Sequence, residues 1–191
     1  MSKTQIPVGI SGRHVHVSRA DLDILYGKDY QLQKMKDLSQ PGQFACNETV
    51  DIVTPKGGFN RVRILGPERK QTQVEVSLTD SVKLGLKPPV RDSGSLDGSP
   101  GIKIIGPAGE IDLDSGVIVA YRHIHMTPAD AQEFGVKDKE IVKVRCQGER
   151  GLIFDQVLIR VHETFALEMH IDTDEGNAAM AKTGDVVELI K

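Results

Sequence analysis

The chain has 191 residues, with 24 Lys+Arg against 27 Asp+Glu, a formal net charge of -3, and only 4% aromatic residues. Acids and bases are interspersed, so the clustered cations and stacking rings that nucleic-acid binding relies on are missing, and no nucleic-acid partner is expected. No apolar run approaches the ~20 residues that span a membrane, and the length suits one large domain or two small ones with a real core.

The opening "MSKTQIPVGIS" lacks a signal-peptide core and runs almost directly into a strand-like segment. Strand signals then recur: "PVGIS", "ETVDIVT", "FNRVRIL", "QVEVSL", "GIKIIG", "GVIVAY", "EIVKVRC", "LIFDQVLIRV", "ALEMHI" and "DVVELI". They are short, rich in Val and Ile, and bounded by Gly, Pro, Asp and Asn. Turns are read at "PKGG", "LGPE", "DGSPG", "GPAGE" and "QGERG". Helix signals are few. Ser18 with Asp21 forms a capping pattern ahead of "RADLDILYG", and Thr127 with Asp130 does so ahead of "TPADAQEFG", where Pro128 takes the first helical position. The pattern predicts a mostly β protein with short helices, built as barrels or sandwiches. Cys46 and Cys146 stand far apart and in no CxxC pattern, which predicts two buried thiols in a reducing cytosolic setting.

The chain repeats itself. "RHVHVSRADLDILYG" aligns without gaps to "RHIHMTPADAQEFGV", and each copy leads to a closing strand, "QVEVSLTD" or "ALEMHIDTD". Two similar halves predict two similar barrels. By composition "KPPVRDSGSLDGSPG", residues 87–101, is the most linker-like stretch.

Four of the six histidines fall in the two RHxH copies. On a strand, residues i and i+2 point to one face, so His14 and His16 project together, as do His123 and His125. Paired imidazoles suit zinc or another borderline divalent metal. The closing strands offer further ligands: Glu75 in one and His170 in the other, with Glu168, which this alignment sets against Glu75, as a competitor. Three protein ligands leave an open coordination position, the catalytic pattern. Arg69 precedes Glu75 by six residues and can bring a guanidinium to an anion, or can be a solvated loop residue. Arg13 and Arg122 read as structural ion pairs, His162 as solvated or structural, and Met126, Met169 and Met180 as core.

Together "SGRHVHVS", "GPERKQTQVEVS", "YRHIHMTPADA" and "EMHIDTDEGNA" resemble the PduL-type phosphotransacylases (phosphate propanoyltransferases), in order and over essentially the whole chain. That family interconverts a short acyl-CoA and phosphate with an acyl phosphate and free CoA. The resemblance implies a dinuclear zinc site. His14, His16 and Glu75 would hold one ion, whose open position can take the CoA sulfur. His123, His125 and His170 would hold the other, completed by water. Arg69 would bind phosphate, with Arg69 and Glu75 the catalytic pair, and Ser11, Lys36, Arg63, Leu65 and Asn177 would surround the site. Acyl-CoA, CoA and phosphate are the implied small-molecule partners, and a homodimer the implied assembly. The implied fold is mainly β: two β-barrels with short capping α-helices, pseudo-duplicated halves and strand exchange. One barrel takes residues 1–12 plus 121–191 and the other residues 13–120, with 27–47 as a possible excursion; this moves the boundary away from the linker-like stretch. Family members housed in bacterial microcompartments often carry an N-terminal targeting extension, which this chain does not show, so a free cytoplasmic acetyl- or propanoyltransferase is expected. The alternative is a dinuclear zinc hydrolase acting on a thioester or phosphoester with the same ligands.

Overall fold

The computed structural model describes residues 5–190; the expectation about the start of the chain falls partly on residues 1–4, outside the described residues. In chain order the first elements are β1 (Gln5–Ser11), β2 (His14–His16), α1 (Arg19–Tyr26), β3 (Lys34–Asp37), β4 (Phe44–Thr54), β5 (Gly57–Gly66), β6 (Gln73–Glu75), α2 (Leu78–Leu84) and β7 (Val90–Arg91). There follow β8 (Ile102–Ile105), β9 (Glu110–Leu113), β10 (Val117–Ala120), β11 (His123–Met126), α3 (Pro128–Phe134), β12 (Ile141–Cys146), β13 (Leu152–Val161), β14 (Glu168–Asp172), α4 (Thr173–Ala179) and β15 (Val186–Ile190). No described helix is long and apolar enough to cross a membrane.

The chain divides into two compact units. One contains residues 5–11, Ser39–Pro41 and residues 121–190. Its strands close a barrel in the order β1-β14-β11-β13-β12-β15. The N-terminal strand is thus exchanged into the C-terminal half: β1 runs parallel to β14 and antiparallel to β15. Period-2 patterning explains the burial. In β12, Val142, Val144 and Cys146 point inward while Ile141, Lys143 and Arg145 face solvent. Ile6, Val8, Ile124, Met126, Ile159 and Met169 are fully buried in this core.

The other unit contains Gly12–Leu38 and Gly42–Ala120. Its nine strands form a curled half-barrel in the order β7-β10-β6-β2-β5-β4-β8-β9, with β3 paired to β4. Val15, Leu22, Leu25, Ile52, Ile64, Val74 and Ile104 fill its core. The predicted mainly β fold with short helices is therefore present.

The repeat is structural. In each unit a HxH strand leads into a capped helix: Ser18 caps α1, and Thr127 with Asp130 makes a full capping box on α3, with Pro128 in the first turn. In each unit the closing strand leads into a second capped helix, which the helix reading of the sequence missed. Ser77 with Asp80 boxes α2, and Asp172 with Glu175 boxes α4. The same S/D-x-x-acid signal was present at both places, but neither helix carries the first-turn proline that marks α3, which is equally short.

Two expectations need correction. Residues 87–101 are not a free linker: the stretch carries β7 and buries Leu96 and Ser99, whose hydroxyl bonds the Leu96 carbonyl and accepts from Gly116 N–H. Met126 and Met169 are core, but Met180 is 56% exposed, because it ends α4 in the left-handed conformation, off the barrel. Arg13 does pair with Asp80 at 2.6 Å and Arg122 with Glu175 at 3.0 Å, and both cysteines are buried.

Candidate functional site

In the half-barrel, β2 is a central strand, parallel to β5 and antiparallel to β6. His14 has Glu75 directly across from it on one side and Arg63 on the other, and His16 faces Gln73. Nε2 of His14 lies 3.5 Å from Glu75 Oε2, and Nε2 of His16 lies 3.8 Å from Glu75 Oε1. The far side of each ring is anchored to backbone. Nδ1 of His14 donates to the Gly12 carbonyl at 2.9 Å, and Nδ1 of His16 donates to the Leu65 carbonyl at 3.2 Å. A carbonyl can only accept, so Nδ1 carries a proton and Nε2 is the nitrogen turned to the carboxylate.

The barrel repeats this geometry. His123 is directly across from His170, and His125 from Glu168. Nδ1 of His123 donates to the Tyr121 carbonyl at 2.7 Å. The three rings of His123, His125 and His170 lie with centroids 4.6–5.1 Å apart. Each triad, His14/His16/Glu75 and His123/His125/His170, brings one ligand atom per residue within 4.8 Å of the others.

The closing-strand register differs from the sequence alignment. Glu75 stands two residues before the cap of α2, Ser77, and His170 two residues before the cap of α4, Asp172. Both face the first histidine of their pair, so Glu75 is the counterpart of His170, and Gln73 that of Glu168. Aligning the two glutamates put the strands two residues out of step. Glu168 sits beside the ligand position: its Oε2 lies 3.0 Å from His170 Nε2, and Ser39 donates a short hydrogen bond to it. Gly9, across from His170 on β1, leaves the room; a Cβ there would come within 2.8 Å of the Glu168 carboxyl carbon.

The charges favour a cation. Burial would lower the His14 pKa, but the Glu75 carboxylate outweighs it and the net shift is upward. His16 is pushed down to about 3 by burial and by the charges of His14 and Arg69. Burial would raise Glu75, yet His14, His16 and Arg69 hold it well below the usual carboxylate range. His125 is pushed down to about 2 by burial and by His123, His170 and Arg160. His16 and His125 are therefore neutral imidazoles, the form that ligates metal. His125 Nδ1 and His170 Nε2 are buried without any hydrogen-bond partner, the latter near Glu168 but outside hydrogen-bond direction. Buried polar atoms are normally satisfied, and a divalent ion would satisfy these two. Donor set, tautomers and orphaned nitrogens all fit a metal of the zinc kind.

The other residues singled out from the sequence divide between the units. Arg69, Arg63, Leu65 and Lys36 belong to the half-barrel with the first triad. Arg69 follows β5, and its Nη1 donates to Ser93 Oγ at 2.9 Å. Ser93 in turn donates to Glu75 Oε1 at 3.1 Å. Arg63 donates to the carbonyls of Cys46 and Asn47, Leu65 lends its carbonyl to His16, and Lys36 is exposed on β3. Ser11 ends β1 opposite Asp172, and Asn177 lies exposed on α4, both in the barrel unit. Sequence reasoning missed Ser93, Gln73 and Ser39. Gln73 had a signal, since it shares a strand face with Glu75; the two serines had none.

A family model described as phosphate propanoyltransferase matches residues 7–182. Among curated relatives, a phosphate propanoyltransferase of Thermotoga maritima is 61% identical over 187 residues, 97% of this chain and 89% of that protein. One from Clostridioides difficile is 55% identical over 186 residues, 97% of this chain and 89% of its own. One from Rhodopseudomonas palustris is 52% identical over 187 residues, covering 98% and 83%.

Proposed function

Because the chain belongs to the phosphate propanoyltransferase family of acyltransferases, we propose that it converts propanoyl-CoA and phosphate to propanoyl phosphate and CoA, with one zinc ion on each triad. A phosphate oxygen attacks the thioester carbonyl carbon; the new C–O bond forms, the C–S bond breaks, and the electron pair leaves with the CoA sulfur as thiolate. Zinc, when bound, supplies a Lewis acid that polarises the thioester carbonyl and stabilises the departing thiolate.

The chain's own residues have three tasks. Gly12 and Leu65 carbonyls hold the His14 and His16 rings with Nε2 forward. Glu75, ionised across the neutral pH range, offers a carboxylate to the same point. Arg69 binds the phosphate: its planar fork matches two phosphate oxygens and offsets repulsion between the two anionic substrates. The observation that carries this reading is the hydrogen-bonded run Arg69–Ser93–Glu75, which ties a fixed cation to the metal-ligating carboxylate. Among the described residues no Ser-His-Asp arrangement calls for an acyl-enzyme, so attack is direct and kinetics are sequential. One methylene discriminates weakly, so acetyl-CoA is expected to serve as a slower substrate.

The test is consumption of propanoyl-CoA by purified protein with and without phosphate, trapping acyl phosphate with hydroxylamine, alongside metal analysis. Turnover that needs phosphate and yields the hydroxamate supports the transferase. Equal turnover without phosphate, releasing propanoate, would mean a zinc hydrolase instead. Arg69→Ala is expected to raise the phosphate KM at least tenfold; an unchanged phosphate KM removes Arg69 from the role.

A further inference from the structure

Ser93 lies in the stretch that composition marks as a linker, yet its hydroxyl is saturated by three residues of the site. Its Oγ accepts from Arg69 Nη1 at 2.9 Å and from Gln73 Nε2 at 2.8 Å, and its single proton goes to Glu75 Oε1 at 3.1 Å. These directions are forced: guanidinium and amide nitrogens only donate, and an ionised carboxylate only accepts. Gln73 closes the ring. Its second Nε2 proton goes to the same Glu75 Oε1 at 2.6 Å, and its own Oε1 accepts from Gly94 N–H at 2.7 Å. Glu75 Oε1 thus carries two donors and lies 3.8 Å from His16 Nε2, while Oε2 takes neither donor and faces His14 Nε2 at 3.5 Å.

We propose that Ser93 is a positioning residue that sets metal and phosphate sites together, holding the Glu75 carboxylate so that Oε2 is the oxygen best placed to take the metal and holding Arg69 beside it for the anion. The inference rests on the transferase reading above. Its physical basis is that one hydroxyl bonds both charged side chains, so its loss removes a contact from each. An oxygen already bound to two donors has little lone-pair density left for a cation, whereas Oε2 keeps its own. The loop residue supplies Glu75 Oε1 with a second donor beside the one that Gln73 supplies from β6.

The experiment compares wild type, Ser93→Ala, Ser93→Thr and Ser95→Ala as whole proteins. Zinc affinity is read by competition with a chromophoric chelator, independently of turnover, and phosphate KM is read separately from kcat. In Ser93→Ala, one of two zinc ions is expected to be held about 10- to 100-fold more weakly, the usual cost of losing a partner that orients a ligand. Phosphate KM should rise roughly tenfold, propanoyl-CoA KM should hold, and Ser93→Thr should restore both losses. Ser95→Ala should match wild type. Gln73→Leu, which removes a donor to Glu75 but leaves the Arg69–Ser93 bond, should weaken zinc with little change in phosphate KM, and serves should Ser93→Ala not fold. If wild type binds zinc and needs phosphate but Ser93→Ala matches it in both readouts, the Ser93 role falls and the transferase reading stands. Losses that threonine does not restore also overturn the role. A wild type lacking zinc or phosphate dependence overturns both.

Discussion

Glu75 and His170 occupy the same place in the two units: each lies directly across from the first histidine of its HxH strand, two residues before a helix cap. One half therefore offers an imidazole where the other offers a carboxylate, at matching strand positions. Glu75→Ala should lower zinc content from two ions per chain to one, as should His170→Ala. Glu75→His should keep two, since a third imidazole serves at that place in the sister unit. Metal analysis after dialysis checks this; loss of both ions from either single alanine variant would show that the triads do not bind separately.

Glu168 should matter to any metal on the barrel triad, because its carboxylate lies 3.0 Å from His170 Nε2, the nitrogen left without a hydrogen-bond partner. Glu168→Gln should weaken zinc there about 10- to 100-fold. Gly9→Ala should do the same by displacement, because the added methyl meets the Glu168 carboxyl group at 2.8–3.0 Å and a flexible side chain yields before the strand does. Zinc affinity close to wild type in both variants would rule out the carboxylate's part.

Stability should follow the barrel core rather than the helices. Ile159 is fully buried, so Ile159→Ala should cost about 2–5 kcal/mol, through lost transfer energy and a residual cavity. Val82 on α2 is 80% exposed, and Val82→Ala should shift stability by under about 0.5 kcal/mol. Denaturant unfolding of metal-loaded protein reads both; similar values would contradict the assignment of the core.

The cysteines should be inert until the protein unfolds. Burial pushes the Cys46 thiol up to about 11, so at pH 8 roughly one molecule in a thousand carries its thiolate. Cys146 is raised too, first by burial and then by the Asp185 carboxylate. Because the folded pKa of Cys46 exceeds the unfolded one, its contribution to stability is whole below about pH 9 and is lost as pH rises through the folded value. A disulfide-exchange reagent at pH 8 should label neither thiol within minutes in native protein, and both in denaturant. Prompt labelling of the folded protein would contradict the burial.

Much of this protein was legible locally. Alternation of apolar residues marks strands, i and i+2 spacing pairs the histidines, and Ser or Thr three residues before an acid marks helix starts. These signals depend on backbone geometry within a few residues, so the chain carries them before it folds. By itself the sequence determined a mainly β protein with short capped helices and two same-face histidine pairs in a repeat. Tertiary structure decided what no local period encodes. Strand pairing chose Glu75 and His170, rather than Glu75 and Glu168, as equivalent positions, because register across a sheet is set by distant partners and by where each helix cap falls. Folding also returned Ser93 from a linker-like stretch to a carboxylate eighteen residues earlier. A hydroxyl's role depends on which donors and acceptors converge on it, and that convergence exists only once the half-barrel has formed.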